Sequence, residues 1–252
     1  MIYKKTVEEI AVMAEGGALL RGITEKLTEA TKEGVRLKEL DALAEKLMKA
    51  TGGTPAFLGY KPAWAKKAYG ASICASVNDV VVHGIPSAYR LKQGDIVTLD
   101  LGLKYKGFYT DTAVTVAVGE VSDDARRLIT ITKDALTLAI DQCLVGNTVG
   151  DIGFAINSYV RKNGLRIAKG LTGHGIGKNL HEDPVVPNEG KPGIGARLFT
   201  GMVIAVEPMV TMGSGETVQL KLDESFATKE RVLAAHFEHT VAITDAGPQV
   251  LT

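Results

Sequence analysis

The chain has 252 residues, of which 29 are basic and 29 are acidic, so its formal net charge is zero. This balance argues against binding of nucleic acid or of a membrane surface through bulk charge. Hydrophobic residues make up 45% and charged residues 23% of the chain, which are ordinary values for a globular protein. The length suffices for a substantial buried core, in one large domain over residues 1–252 or in two small ones.

Cysteine usage and the N-terminal sequence both indicate a reducing, cytoplasmic compartment. Cys74 and Cys143 are the only cysteines, too few for a zinc-finger module or a disulfide framework. The first residues lead directly into a polar helix pattern, without the apolar stretch of a signal peptide or a membrane span. We take a monomer as the default oligomeric state.

Four helices are predicted from apolar residues at helical spacing. The first begins at a capping-box pattern, Thr6-Val7-Glu8-Glu9, and the second is stopped by Gly52-Gly53. The predicted spans are about residues 7–31, Leu37 to the Gly52 stop, Ser122 to about Leu144, and Thr148 to about Asn163.

Segments rich in β-forming residues lie between and after these helices, at 72–82, 96–101, 109–118, 202–211 and 237–243. The order of two helices, strands, two helices and strands indicates two similar αα-β halves packed face to face. No repeat of residue identity supports a duplication, and no linker divides the halves. We therefore predict one α+β domain.

Two aspartates lie on neighbouring strands of a predicted hairpin. If Tyr105 and Lys106 form its tip, Asp100 lies directly opposite Asp111, where two unpaired like charges would destabilise the hairpin. One alternative is that one aspartate faces solvent. Alternation argues against this for Asp111, whose face carries small and aromatic residues. A shared cation explains the pair better.

Three further metal-binding side chains lie in segments where a solvated charge is unexpected. His174 is flanked by glycines in a predicted loop, and Glu207 and Glu238 each interrupt an apolar run. Pro208 predicts an irregular strand next to Glu207. A buried glutamate is rare unless it is paired or binds a metal. The alternatives are a surface histidine and two separate buried salt bridges.

The four carboxylates and one imidazole together form the donor set of a two-metal hydrolase. The four negative charges would repel one another in an apolar interior, and two bound divalent cations would neutralise them. Oxygen ligands with one imidazole suit Mn²⁺, Fe²⁺, Co²⁺ or Zn²⁺. Two such ions can together activate water and polarise a carbonyl.

Seven segments of the chain resemble those of type I methionine aminopeptidases, in the same order and with similar spacing. They are VNDVVVHGIP (77–86), DIVTLDLG (95–102), YTDTAVT (109–115), TGHGIG (172–177), HEDP (181–184), GMVIAVEPMV (201–210) and FEHTVAIT (237–244). The resemblance implies the pita-bread fold, in which two pseudo-symmetric halves hold a dimetal centre. It also implies removal of the initiator methionine from nascent proteins when the second residue is small, through metal-activated hydroxide.

The resemblance also implies individual roles for the metal-binding residues. Asp100 would chelate one metal ion, while His174 and Glu207 would belong mainly to the other. Asp111 and Glu238 would bridge the two ions. Glu207 would in addition carry a proton from the nucleophilic water.

Two other histidines acquire roles from the same resemblance. His83 would lie beside the scissile amide, and His181 would donate a hydrogen bond to the substrate carbonyl as charge develops. Without the resemblance, a turn histidine and a surface histidine would be the simpler interpretations. His236 and His239 match no catalytic position, and His239 is interpreted as a structural strand residue.

The expected methionine pocket consists of Phe57, Tyr60, Tyr69, Cys74, His83 and Leu180. Three features depart from the family pattern: the flap lacks its usual tryptophan and has Asp223-Glu224-Ser225 near that point, residues 61–68 form a longer segment, and Leu180 replaces an aromatic residue. The only tryptophan is Trp64. These departures predict looser discrimination between methionine and similar side chains.

Two other functions remain open at this point. One is an Xaa-Pro aminopeptidase of the same fold, and the other is a non-catalytic binding protein of this fold. The presence of all five metal-binding residues favours an enzyme. The sequence leaves open which of Co, Mn, Fe or Zn is bound, and whether the protein contacts the ribosome.

Overall fold

The computed structural model describes residues 2–61, 67–220 and 225–252. Trp64, Asp223 and Glu224 lie outside the described residues, as does most of the 61–68 segment. The predictions that rest on them therefore stay predictions.

The described residues form four α-helices: α1 (Val7–Ala30), α2 (Leu37–Ala50), α3 (Asp123–Ile140) and α4 (Val149–Lys162). The predicted capping box is present at α1, where the Thr6 and Glu9 side chains accept each other's backbone N–H. Helix α3 ends about four residues before the predicted end, because the amides of Gln142 and Cys143 bond three residues back and tighten the chain.

Short strands outnumber those predicted from the sequence. They are β1 (Thr54–Pro55), β2 (Ile73–Val77), β3 (Val80–Val82), β4 (Ile96–Tyr105), β5 (Phe108–Ala117), β6 (Arg166–Ile167), β7 (Thr172–Gly175), β8 (Glu182–Pro187), β9 (Val203–Val206), β10 (Met209–Thr211), β11 (Thr217–Gln219), β12 (Phe226–Thr228), β13 (Ala234–His236), β14 (Glu238–Thr244) and β15 (Gly247–Val250). The predicted 202–211 strand is interrupted at Glu207-Pro208, as expected.

A nine-stranded sheet connects the two halves of the chain. Its strand order is β1-β4-β5-β14-β9-β7-β8, with β15 paired to β14 and β2 paired to β4. Two three-stranded sheets, β13-β10-β6 and β11-β12-β3, flank it. Because β14 pairs with β5 from one half and with β9 from the other, both halves contribute residues to one continuous surface.

The predicted register of the β4–β5 hairpin was wrong by one position on each strand. Tyr105 pairs with Phe108, so Asp100 lies opposite Ala113 and Asp111 lies opposite Gly102. The tip is Lys106-Gly107, where both residues have positive φ, 47° and 88°, as a type I′ turn requires. One position on each strand gives a total shift of two residues in the pairing. Because side chains alternate with a period of two, both aspartates still face the same side of the sheet.

Each helix pair covers one part of the sheet. Leucines of α1 and α2 pack against Val97, Leu99 and Leu101 of β4, whereas α3 and α4 pack against β9 and β14. Along β4 the helix-facing residues alternate with cleft-facing ones such as Asp100. The predicted α+β arrangement of two αα-β halves is therefore confirmed. None of the helices in the described ranges is both long and apolar enough to cross a membrane.

Candidate metal centre and substrate cleft

The five predicted metal-binding residues lie on or next to five strands that are neighbours in the sheet. Asp100 is on β4, Asp111 on β5, Glu238 on β14 and His174 on β7, while Glu207 directly follows β9. The sheet order therefore brings together residues that lie up to 138 positions apart. All five line one cleft with a volume of about 720 Å³.

The closest cluster comprises Asp111, His174 and Glu238, whose ligand atoms lie within 4.8 Å of one another. Glu207 joins them, because its Oε1 atom is 3.5 Å from Nε2 of His174. Asp100 lies opposite Ala113, which in turn lies opposite Glu238. Four of the five side chains therefore lie within a few ångströms of another member of the set, and Asp100 is placed beside them by the pairing of neighbouring strands.

Two of the four carboxylates each have a buried oxygen atom without a hydrogen bond to any described residue. Asp100 Oδ1 and Glu238 Oε1 are buried and have no hydrogen-bond partner among the described residues. Buried acceptors without a donor are costly. A cation would satisfy both of them, so the residues present fit a metal site on their geometry and on their donor chemistry.

Burial also sets the ionisation of these acids. It raises the pKa of Asp100 to about 7. For Asp111 and Glu238, burial and then the neighbouring carboxylates raise the pKa above its ordinary value. Burial and then Asp100 do the same for Glu207. The metal-free cluster therefore favours protonated acids, whereas a bound cation would favour the ionised forms.

His174 is prepared to act as a ligand through Nε2. Burial lowers its pKa to about 4, so the ring is neutral at pH 7. Its Nδ1 lies 2.9 Å from the carbonyl oxygen of Gly175, and it donates its proton there. Nε2, the atom nearest Glu207, then carries the free lone pair.

The glycines around His174 belong to a strand, so the predicted loop was wrong. A Cβ at Gly173 would lie 2.4 Å from the carbonyl oxygen of Ala205, and one at Gly175 would lie 2.1 Å from that of Asp183. Any side chain at these positions would push β7 away from its neighbours. The glycines are therefore required for close strand packing, which places His174 beside β9.

Two further histidines predicted to act in catalysis line the same cleft. His83 has a positive φ of 60°, and its ring packs edge-to-face on Phe226 at a centroid distance of 6.0 Å. The His181 ring centroid is 4.3 Å from that of His174. Its Nδ1 is 2.7 Å from the Tyr60 hydroxyl. Both imidazoles can therefore reach a substrate bound next to the five metal-binding side chains.

The six predicted pocket residues all line the cleft as well. Phe57 and Tyr69 form an edge-to-face pair with centroids 6.4 Å apart. The sequence prediction missed other apolar lining residues: Val82, Leu171, Met209 and Phe226. Val82, Met209 and Phe226 lie on strands of the two small sheets, and Leu171 directly precedes β7. No local pattern distinguishes them from core residues.

His236 is the main polar residue that the sequence prediction missed. It is 1% exposed, and its Nε2 lies 3.5 Å from Oε2 of Glu207. In the sequence, a spacing of two residues from Glu238 predicts one shared face of an extended segment, a signal that was available, although the structure places the two residues on the consecutive strands β13 and β14. His239 instead contacts Thr252 Oγ1 through Nδ1 at 3.2 Å, in keeping with a structural role.

The metal-free protein should lose stability as the pH rises. A carboxyl group whose pKa is raised by folding stabilises the fold fully below its unfolded pKa, and this contribution is lost as the pH rises through the folded value. For Asp100 that window extends from about 4 to about 7. We expect the melting temperature of the chelator-treated, metal-free protein to fall between about pH 4 and pH 7, and added Mn²⁺ to reverse the fall. A pH-independent difference between the two forms would contradict this expectation.

Comparison with known proteins agrees with this architecture. The model of metallopeptidase family M24 matches residues 11–245. A methionine aminopeptidase of Clostridium perfringens is 42% identical over 254 residues, covering 100% of this chain and 99% of the relative. The crystal structure of methionine aminopeptidase from Rickettsia prowazekii superposes with a TM-score of 0.96 at 36% identity and full coverage of both chains.

A prolidase from Pyrococcus horikoshii shares the fold with a TM-score of 0.79 at 23% identity, and this chain covers 63% of it. That likeness concerns the fold alone. The full-length similarity to the bacterial enzymes is much stronger. The chain therefore belongs to metallopeptidase family M24 and, within it, to the methionine aminopeptidases, metal-dependent hydrolases with the predicted pita-bread fold.

Proposed function

We propose that this protein removes the N-terminal methionine from nascent polypeptides whose second residue is small. The observation that carries the proposal is the row of four carboxylates and one imidazole on adjacent strands, beside an apolar pocket. The family supplies the reaction type, and the full-length relatives that are named methionine aminopeptidases supply the substrate class.

The metal centre is proposed to hold two divalent ions, of Co, Mn, Fe or Zn. Asp100, Asp111, His174, Glu207 and Glu238 would hold them, with Asp111 and Glu238 shared between the ions. The closeness of the Asp111, His174 and Glu238 ligand atoms and the unpartnered buried oxygens support this assignment. Two such ions supply an activated water molecule and polarisation of the peptide carbonyl.

The surrounding side chains then have distinct tasks. Glu207 is suited to accept and return a proton, because burial and then the Asp100 carboxylate raise its pKa well above the ordinary carboxyl value. His181 can donate a hydrogen bond to a carbonyl oxygen as negative charge develops. His83, which also lines the cleft, can orient the scissile amide.

The pocket suits a flexible thioether. Phe57, Cys74 and Leu180 are buried, and the aromatic rings of Tyr60 and Tyr69 extend the wall. A methionine side chain can adapt to such an irregular apolar surface and gain sulfur–aromatic contacts. A large second side chain would crowd the metal-binding groups and disturb the geometry of attack.

A peptide series would test the proposed substrate class. We expect efficient cleavage of Met-Ala-Ser and at least about tenfold lower kcat/KM for Met-Lys-Ser and Met-Ile-Ser, because a near-attack geometry is easily disturbed. N-acetylated Met-Ala-Ser is the matched control and should be inert, since exopeptidase action requires a free amino group. Preference for an Xaa-Pro peptide with a non-methionine first residue would instead favour the Xaa-Pro aminopeptidase.

The remaining parts of the proposal concern the cellular setting. Nascent chains are the proposed partners, and a contact with the ribosome would be compatible with that substrate. We further propose that the chain acts in the cytoplasm as a monomer, with its whole length forming one catalytic unit.

A further inference from the structure

The buried imidazole of His236 lies directly behind the proposed proton-transfer residue. The side chain is almost fully enclosed, at 1% exposure. Neither Nδ1 nor Nε2 has a hydrogen-bond partner among the described residues. A buried imidazole with both nitrogens unpartnered is costly to fold, so a contact that satisfies it in the working enzyme is the simplest reason for its presence.

Glu207 offers that contact. Its Oε2 lies 3.5 Å from Nε2 of His236, while Oε1 lies 3.5 Å from Nε2 of His174 on the opposite side. The carboxylate is thus held between two imidazoles that differ in function. His174 presents the lone pair of Nε2 towards the cluster, because its proton is on Nδ1 and is donated to the carbonyl oxygen of Gly175. His236 has no such carbonyl partner and can present an N–H.

The backbone around both residues is firmly anchored, so their relative position is well defined. The Thr115 hydroxyl accepts the His236 amide at 2.9 Å and donates to the His236 carbonyl at 2.8 Å. His236 also pairs with Met209, two residues after Glu207. The backbone carbonyl of Glu207 accepts a hydrogen bond from the side-chain Nδ2–H of Asn188 at 2.9 Å. The 3.5 Å separation of Nε2 and Oε2 exceeds the usual upper limit of an N–H···O hydrogen bond by only about 0.3 Å.

We propose that His236 is a positioning residue whose Nε2–H donates to Oε2 of Glu207 and holds that carboxylate in the orientation required for proton transfer. This inference rests on the proposed function of Glu207. The donation requires only that the proton be on Nε2. It would fix one carboxylate oxygen and leave the other directed at the metal-binding cluster.

Two substitutions separate the hydrogen bond from packing. His236→Gln retains an N–H donor close to the position of Nε2, whereas His236→Met has a similar length and no donor. We expect His236→Met to lower kcat for Met-Ala-Ser by about 10–100-fold with little change in KM, and His236→Gln to recover most of that loss. His239→Gln, a change outside the cleft, is the control and should behave like the unmodified protein.

A spectroscopic and a metal-binding measurement make the test independent of turnover. The chain has five histidines, so ¹⁵N spectra of the Zn²⁺-loaded protein, with the His236 signal identified by its absence in His236→Gln, can report its tautomer. We expect protonation at Nε2. Titration with Zn²⁺ should show weaker binding for His236→Met than for His236→Gln.

A proton on Nδ1, or equal kcat and equal Zn²⁺ affinity for the glutamine and methionine variants, would overturn the proposal. If the unmodified protein fails to cleave Met-Ala-Ser, the proposed substrate is wrong. The tautomer and the Zn²⁺ titrations would still decide the role of His236.

Discussion

Replacing Glu238 with glutamine is expected to lower kcat/KM for Met-Ala-Ser by more than about 10³-fold and to weaken divalent metal binding. The ligand atom of Glu238 lies within 4.8 Å of those of Asp111 and His174. Its strand is central, pairing with β5 on one side and β9 on the other. Removing this carboxylate therefore removes a negative charge from the middle of the donor set. Metal titration together with steady-state kinetics would measure both effects.

The Glu238→Gln substitution should stabilise the metal-free protein. Burial and three neighbouring carboxylates raise the pKa of Glu238, so this residue destabilises the metal-free fold at neutral pH. An uncharged glutamine relieves that cost, and we expect a gain of at least about 1 kcal/mol, or roughly 2–4 °C in melting temperature. In excess metal the order should reverse, with the unmodified protein more stable.

Asp95 provides a matched control, because it is a buried aspartate outside the cluster. It is 7% exposed and accepts hydrogen bonds from Asn78, Tyr89 and the amide of Lys92. Asp95→Asn should destabilise the metal-free and metal-loaded forms alike and leave metal affinity unchanged. A Glu238→Gln variant that behaves in this way would show that Glu238 is a structural acid, and the proposed metal centre would have to be revised.

Alanine in place of His181 is expected to reduce kcat/KM by about 10²–10³-fold, the loss typical of a missing oxyanion donor. The local geometry supports this proposed donor role. Burial raises the pKa of the Tyr60 hydroxyl, so it stays protonated and can donate to Nδ1 of His181 at 2.7 Å. Burial lowers the pKa of His181 to about 3, so the ring is neutral at pH 7. With the Tyr60 hydroxyl as the donor to Nδ1, the single ring proton is on Nε2 and is available to the substrate carbonyl.

Metal content distinguishes this role from that of a ligand. The His181→Ala protein should bind as much metal as the unmodified chain, and its melting temperature in excess metal should rise to the same extent. His239→Ala is the control, because His239 is also a histidine of this region but contacts Thr252 outside the cleft. If the variant loses metal in parallel with activity, His181 is a metal ligand and its assignment as a hydrogen-bond donor is wrong.

Local patterns were sufficient to predict the helices and most of the long strands. The Thr6 capping box, the Ser122 cap and the leucine spacing of α2 each act within a few residues, so they can be read from a short window of sequence. The interruption at Glu207-Pro208 was predictable for the same reason, since proline cannot donate to a strand ladder.

The β4–β5 register and strand β7 required tertiary information. The hairpin tip is the pair of residues that adopts positive φ, Lys106 and Gly107. Positive φ is unusual for a lysine, so residue preference alone did not select this pair over Tyr105-Lys106. Strand β7 contains two glycines in four residues, a composition with low intrinsic strand propensity. Its neighbours β8 and β9 impose the extended conformation.

The sequence by itself determined the chemistry of this protein: the acids and histidines able to bind metal, the helices that cover them and the resemblance to a family. These features follow from residue identity and short-range periodicity. Only the tertiary structure decided the order β4-β5-β14-β9-β7, which brings the five residues into one row, and the contact between His236 and Glu207. Pairing between distant strands depends on packing and backbone hydrogen bonds across the whole sheet, and no short segment of the chain carries that information.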